Sequence, residues 1–207
     1  MGTAHNTKLT SKKITLWLAF SAILSVAAHP AAAQTSLQLD PAKTSVLFTL
    51  EAALHNVRGT FQAKASTLQL DTASGQISGV ILVDAKSGQT GNILRDHKMH
   101  SEILESATYP EISFRPDRIK GAVAVLGKSS VLVHGTFRIH GTDREIEVPA
   151  QVEMSEDRWS ATVHFSLPYE KWGIKNPSTW FLHASDSVEI ELTAAGSVVK
   201  RAAQAPK

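Results

Sequence analysis

The sequence predicts an all-β fold, a single antiparallel barrel of roughly eight strands with one short helical segment near residues 92–106. Two observations predict the strands: apolar and polar residues alternate in many segments, and short turn motifs separate those segments. A third observation predicts the helical segment, because only this stretch of the folded part combines an apolar stripe with no two-residue alternation. About eight neighbouring strands are enough to close a barrel around one small ligand.

The clearest alternation lies between Val131 and Met154. Residues 131–139 place apolar side chains on one parity and mainly polar ones on the other, and residues 146–154 repeat the pattern after Gly141-Thr142. Alternate side chains of a strand point to opposite faces. The window therefore predicts two long antiparallel strands with one dry face, which carries no charge, and one wet face.

The remaining strands follow from the same pattern. They are predicted over residues 44–53, 57–70, 77–85, 111–114, 119–126, 159–167 and 188–192. Turn motifs such as Ser74-Gly75, Gly127-Lys128 and Glu156-Asp157 separate several of them. Neighbouring strands joined by short turns favour a meander.

The exception is the segment from Asn92 to Ser106. Asn92 is a suitable N-cap, and Asp96 lies early enough to interact favourably with the helix dipole. We expect one or two helical turns packed across one end of the barrel. Residues 171–187, which contain Gly173 and Pro177, predict a long ordered loop before the last strand.

The first 33 residues have the features of a signal peptide. Three lysines precede an apolar run from Ile14 to Ala28, and Ala31-Ala32-Ala33 forms an A-x-A cleavage pattern. The run is short for a membrane span, which needs about 20 residues. We therefore expect an exported protein, periplasmic or else extracellular, that does not span the membrane, with a folded domain over residues 34–199 and a flexible tail over 200–207.

The charge distribution argues against a nucleic-acid partner. The formal net charge of +2 includes Lys8, Lys12 and Lys13, so the chain after the signal carries about −1. Without the three basic residues of the tail the body is near −4, whereas nucleic-acid binders normally present a basic face. The chain has no cysteine, which excludes disulfides and thiolate chemistry, and no cofactor is predicted.

Histidines offer the main alternative to a binding function. His97 and His100 are three residues apart and could share a helical face, which would suit a metal-dependent or stress-related periplasmic enzyme. The histidines at 134, 140 and 164 lie on the polar parity of their strands and are expected to face water, as are Glu145 and Glu147. No G-x-S-x-G motif is present, so the sequence predicts no catalytic residue.

The dry interior has two interpretations that alternation cannot separate. Every barrel needs an apolar inside, so the same pattern suits a ligand cavity or a structural module with a filled core. Gly59 and Gly135 on the inner parity leave room for a cavity. Pairing of two barrels into a homodimer is also open.

Three longer runs together resemble the YceI-like family of exported, lipocalin-like, polyisoprenoid-binding proteins. The runs are GNILRDHKMHSEILESATYPEISFRP at residues 91–116, VHGTFRIHGTDREIEVPAQV at 133–152 and YEKWGIKNPSTWFLHASDSVEIELT at 169–193. The resemblance extends over essentially all of the chain after residue 33.

The resemblance implies an apolar tunnel for a long isoprenoid or other apolar lipid. Its walls would include inward residues of the strands, namely Val46, Phe48, Phe61, Phe114, Phe137 and Phe165. Met99 and Leu104 would close over the tunnel from the helical segment, and Trp172 from the long loop. The function implied is sequestration or carriage without a catalytic step.

Overall fold

The computed structural model describes residues 1–3, 34–178 and 183–200. The predicted signal peptide, apart from its first three residues, and residues 201–207 of the predicted tail lie outside the described residues. All of the strands belong to one compact unit. No helix in the described part of the chain is long and apolar enough to cross a membrane.

The fold is all-β and antiparallel, as predicted, with eleven strands and one short α-helix. The strands are β1 Gln34–Leu39, β2 Ser45–Leu50, β3 Val57–Ala63, β4 Ser66–Asp71, β5 Ile77–Gly79, β6 Ile81–Gln89, β7 Glu111–Lys120, β8 Gly127–Ile139, β9 Thr142–Met154, β10 Arg158–Leu167 and β11 Val188–Lys200. A 3₁₀ turn at Pro41–Lys43 links β1 to β2.

Eight of the strands form a closed ring. Their order is β10-β9-β8-β7-β6-β3-β2-β11, and pairing of β10 with β11 closes the circuit. The window that dominated the sequence pattern forms β8 and β9, whose register runs from Gly127 opposite Met154 to Ile139 opposite Thr142. The prediction of an eight-stranded antiparallel barrel is confirmed in this ring.

Strands β1, β4 and β5 extend the ring at one end. One edge of β11 pairs with β2 through residues 189–193 and then with β1 through residues 196–200. β1 pairs with β4, and β4 with β5. A bridge between Gln76 and Arg118 brings this extension against β7. The extension therefore continues the wall of the ring along its length.

The breaks between β3 and β4, and between β5 and β6, correct two predictions. Residues 57–70 and 77–85 were each expected to form one strand. Gly79 has φ +115°, a conformation that residues with side chains rarely adopt, and a Cβ there would overlap the Thr67 carbonyl oxygen. The chain bends here, which separates β5 from β6. β1 was not among the predicted strands, although its alternating Leu37 and Leu39 are both buried.

The predicted helical segment is present between β6 and β7. It consists of α1, Ile93–Lys98, followed by a π-helical turn, Met99–Ile103. The Asn92 side chain accepts a hydrogen bond from the Arg95 backbone N–H, which confirms its predicted role as N-cap. The segment lies at the end of the ring where β7 begins, opposite the end that carries the loop between β7 and β8.

Candidate functional site

The interior of the ring contains an apolar cavity of about 610 Å³. This volume lies within the range of about 300–1,000 Å³ that is typical of small-molecule sites. Inward residues of the strands line it, including every second residue of β10 from Trp159 to Leu167. At about 3.3 Å per residue, those eight steps correspond to roughly 26 Å of strand. The cavity is therefore long as well as apolar.

Eight of the nine residues named from the sequence line this cavity. They come from five strands and the helical segment: Val46, Phe48, Phe61, Met99, Leu104, Phe114, Phe137 and Phe165. Two aromatic pairs stand within the wall, Phe48 with Phe61 and Phe137 with Phe165, at centroid distances of 5.4 and 6.1 Å. The rings of the first pair are tilted by 41°, and the second pair is edge-on, which is a favourable arrangement of aromatic rings.

Trp172 is placed differently from the expectation. It is not among the lining residues, and its ring packs against that of Phe137 with a centroid distance of 5.9 Å. The turn at Tyr169–Ile174 fixes this position, since the Trp172 and Ile174 backbone N–H groups both bond to the Tyr169 carbonyl oxygen. Trp172 therefore contacts the wall through Phe137.

The glycines on the inner parity do not leave room for a ligand as expected. A Cβ at Gly59 would overlap the ring of Phe48, so this space is already filled. At Gly135 a Cβ would overlap the Arg115 carbonyl oxygen, because β7 and β8 approach closely there. The cavity instead arises from the spacing of the sheet walls around the whole ring.

One end of the cavity is closed by a packed core. Leu37, Leu39, Leu68 and Leu70 of the extension meet Trp159 there, each at most 5% exposed. The Trp159 indole N–H donates to the Gln38 carbonyl oxygen at 3.2 Å, so its polar atom is satisfied. Sequence reasoning missed this closure because it depends on the pairing of β1 with strands distant in sequence.

The other end is open and forms the mouth of the cavity. Three segments surround it: residues 51–56, residues 90–106, and the loop residues 168–178 with 183–187. Its lining residues include His55, Thr90, Leu94, Arg95, Lys98 and Ser178. Polar side chains thus gather at the mouth, whereas the strand-lined wall is almost entirely apolar. The sequence analysis named none of these mouth residues as part of the site.

Hydrogen bonds hold the helical segment rigidly at the mouth. The Arg95 guanidinium donates to the Thr90 hydroxyl and carbonyl oxygens at 2.7 and 3.0 Å. Asp96 accepts from the Thr90 backbone N–H at 2.8 Å, and the Lys98 ammonium donates to the Pro177 carbonyl oxygen at 3.4 Å. Arg95 and Asp96 are therefore engaged in fixing the local structure.

The loop between β10 and β11 is anchored by Tyr169. Its hydroxyl donates to the Ser185 carbonyl oxygen, and its ring, 5% exposed, lines the cavity. Burial raises the pKa of Tyr169 to about 12, and the nearby carboxylates of Glu170 and Asp186 act in the same direction. The hydroxyl is thus a neutral donor over the physiological range.

The two histidines proposed as metal ligands do not form a shared site. Both ring nitrogens of His100 have protein partners, the Gly88 carbonyl oxygen at 2.8 Å and the Ser106 hydroxyl at 3.0 Å. His97 is exposed. Within the described residues, no group of three or more histidine and carboxylate side chains is arranged to hold a metal ion. His100 is therefore a structural residue that ties the helical segment to β6.

His140 corrects the prediction that the strand histidines face water. Its side chain is 20% exposed, and its ring packs against that of Tyr109 at a centroid distance of 4.4 Å with an angle of 50° between the planes. Its buried Nε2 atom lies 3.6 Å from the Glu105 carboxylate and makes no hydrogen bond. It adopts φ +50° at the turn after β8, where strand parity no longer determines side-chain direction. His134 is also only 22% exposed and bonds to Asp117, whereas His164 remains 66% exposed beside Glu189.

Comparison with known proteins places this architecture among related folds. A family model described as the YceI-like domain matches residues 37–195. A search of curated proteins finds no significant match. Burkholderia cenocepacia BcnA superposes with a TM-score of 0.63 at 18% identity, covering 76% of this chain and 99% of that one.

Two further solved structures share the fold. A polyisoprenoid binding domain from Saccharophagus degradans, implicated in plant cell wall breakdown, has a TM-score of 0.62 at 16% identity and covers 82% of this chain and 100% of its own. The YCEI protein of Campylobacter jejuni has a TM-score of 0.58 at 16% identity, and the match covers 70% of this chain and 86% of that one. At these identities the likeness concerns the fold.

Proposed function

The chain belongs to the YceI-like family, and from this premise we propose that it is a non-catalytic binding protein for a polyisoprenoid or related long apolar lipid. The ligand would occupy the cavity with its chain along the strands. The family resemblance and the polyisoprenoid binding domain among the structural neighbours support this choice of ligand.

The observation that carries the proposal is the distribution of polarity along the cavity. Inward residues of β10 and β11 are apolar over the whole depth, and the lining cations, Arg95 and Lys98, are both at the mouth. Burying apolar surface contributes about 25 cal/mol per Å², so a long chain gains affinity along the entire wall. The phenylalanines and Met99 supply adaptable contacts for it.

The same distribution argues against a reactive centre inside the cavity. General acid–base or nucleophilic catalysis needs a titratable or nucleophilic side chain beside the substrate. The apolar wall offers the buried Ser113 and the neutral hydroxyl of Tyr169, and the latter is already bonded to Ser185. Binding, rather than turnover, suits such a wall.

Mass spectrometry of the native protein tests the proposal. We expect organic extraction of protein purified from its producing cells to release a near-stoichiometric isoprenoid or quinone-like lipid. Protein that is empty as isolated, and that takes up no detergent-solubilised polyprenol afterwards, would contradict it.

A matched pair of variants tests whether the cavity is the binding site. Ala161 lines the cavity in the middle of β10, and its neighbour Thr162 points outward and is exposed. Ala161→Phe should fill the space of several ligand methylenes, each worth about 0.8 kcal/mol, and weaken polyprenol binding at least about tenfold. Thr162→Phe should leave it unchanged. If both substitutions weakened polyprenol binding equally, the binding site would lie outside the cavity.

We also propose that residues 1–33 direct export, so that the binding domain, residues 34–199, acts in the periplasm. The basic start, the apolar run and the A-x-A pattern support this. N-terminal sequencing of the protein from the producing cells should begin at about Gln34. A chain that retains Met1 would contradict this proposal and leave the binding proposal untouched.

A further inference from the structure

The most exposed large apolar side chains after Gln34 gather at one place on the described part of the protein. Ile93 is 87% exposed, Leu94 83% and Leu54 77%. Ile93 and Leu94 begin α1, and Leu54 precedes the mouth residue His55. We refer to Leu54, Ile93 and Leu94 as the rim patch. An apolar surface of this kind, surrounded by polar residues, is typical of an interaction site.

The rim patch is continuous with the cavity. Leu94 belongs to the cavity lining although most of its side chain faces outward. It therefore extends the apolar wall through the mouth to the outer surface of the protein. A chain leaving the cavity at this point would stay in contact with apolar atoms.

The rim patch is also held in its outward position. The Asn92 cap, together with the hydrogen bonds of Arg95 and Asp96 to Thr90, fixes the first turn of α1. Gly91, with φ +78°, lets the chain turn sharply out of β6 just before this cap. The exposure of Ile93 and Leu94 is thus part of an ordered local structure.

The size of the rim patch favours a lipid bilayer over a folded protein as its partner. A stable protein interface buries about 800 Å² on each side, much more than three aliphatic side chains present. A bilayer, in contrast, accepts a few protruding apolar side chains below its headgroups.

The charges around the mouth agree with insertion driven by apolar contact. Both signs occur in the surrounding segments: Glu51, Asp96, Glu102, Glu105, Glu170 and Asp186 against Arg95, Lys98, Lys171 and Lys175. The mouth therefore has no excess of basic residues that would select an anionic surface.

We propose that the rim patch docks the mouth of the cavity onto a lipid bilayer, so that an apolar ligand passes between membrane and cavity without crossing water. This inference rests on the proposed binding function and specifies the surface through which the ligand enters. The lipid membrane is the phase in which such ligands accumulate, because their exposure to water is unfavourable.

Flotation with phosphatidylcholine vesicles, with and without phosphatidylglycerol, tests the docking. Each exposed aliphatic side chain that inserts should contribute about tenfold to the vesicle affinity. The double substitution Leu54→Asn with Ile93→Asn, the rim variant, should therefore reduce vesicle binding about a hundredfold, and polyprenol transfer from vesicles should slow to a similar degree. Binding should persist in high salt and without phosphatidylglycerol.

The loop at the opposite end of the ring offers a matched control. Val125 and Leu126 are 71% and 59% exposed there, and the double substitution Val125→Asn with Leu126→Asn should leave vesicle binding unchanged. Equal loss in both double variants would overturn the docking proposal, as would vesicle binding that requires phosphatidylglycerol and disappears in high salt. A rim variant that changes oligomeric state while vesicle binding stays intact would overturn it in favour of a second copy of the chain.

Uptake of detergent-solubilised polyprenol separates the two proposals. The rim variant should still bind this probe as tightly as the unchanged protein, because neither Leu54 nor Ile93 lines the cavity. If the probe binds and no variant affects transfer from vesicles, the docking proposal fails and the binding function stands. If the unchanged protein binds no probe, the binding function itself fails.

Discussion

The ring of Phe48 occupies the space that a side chain at Gly59 would need, across the pairing of β2 with β3. From this contact we predict how a larger residue at position 59 changes stability. Gly59→Ala should lower the free energy of unfolding by about 1–3 kcal/mol, because the added methyl group overpacks the contact between β2 and β3. Chemical denaturation measures it.

A second substitution at Phe48 checks the cause. In the background of Phe48→Leu the added methyl group at Gly59 should be better tolerated, and the double-mutant cycle should give a coupling of about 0.5–3 kcal/mol. Phe48→Leu should remove only part of the destabilisation, because the Gln89 carbonyl oxygen also lies 2.6 Å from the added atom. If the two substitutions changed the free energy of unfolding additively, a direct contact between position 59 and the Phe48 ring would be contradicted.

His100 and His97 should differ sharply in their effect on stability. His100→Leu removes the partner of the buried Ser106 hydroxyl and of the Gly88 carbonyl oxygen, so we expect a loss of about 1–3 kcal/mol. His97→Leu changes an exposed side chain and should alter stability by less than about 0.5 kcal/mol. Thermal unfolding of both variants, with metal analysis alongside, makes the comparison. A shared metal site would instead make both substitutions abolish the same bound ion.

Tyr169 should introduce a pH dependence at the alkaline limit. Its pKa of about 12 in the folded protein exceeds the ordinary value of 10.0, so the unfolded chain loses the proton first. Its contribution to the free energy of unfolding is therefore fully present below pH 10 and falls by about 2 kcal/mol between pH 10 and 12. Tyr169→Phe should be less stable by about 1 kcal/mol at neutral pH and lack this component of the pH dependence. If the stability of the unchanged protein and of Tyr169→Phe fell in parallel at alkaline pH, Tyr169 would not be the source of this pH dependence.

Trp172 should influence ligand retention through Phe137. Trp172→Ala removes the side chain that packs against the Phe137 ring and should weaken polyprenol binding by less than about tenfold, since the wall itself keeps its residues. In the background of Phe137→Ala, the same substitution should have little further effect. Calorimetric titration with solubilised polyprenol gives the comparison, and additive losses would mean that Trp172 contacts the ligand itself.

Local patterning predicted much of this structure. The parity of β8 and β9 and the inward apolar positions of the other strands follow from side-chain periodicity, and the N-cap at Asn92 follows from its residue type. Both are properties of neighbouring residues. The closure of one end by β1, β4 and β5 does not follow from them, because it depends on pairings such as Leu37 with Val198. Periodicity also fails where the backbone leaves the strand conformation, as at His140 and Gly79.

Side-chain periodicity alone could not predict the cavity. A filled core and an open one present the same alternation, and the family resemblance, rather than the pattern, favoured the open one. The mouth was harder still to predict, since Leu54, Leu94 and Lys98 come from segments without strand periodicity that meet only in three dimensions.

The double pairing of β11 also sets an order of events during folding. The ring cannot close until residues 188–200 are available, because they join β10 to β2 and β1 at once. Such pairings between the two ends of a chain have high contact order and form slowly. A nascent chain that lacks β11 therefore stays open at this seam, and no ligand is enclosed until the last strand is in place.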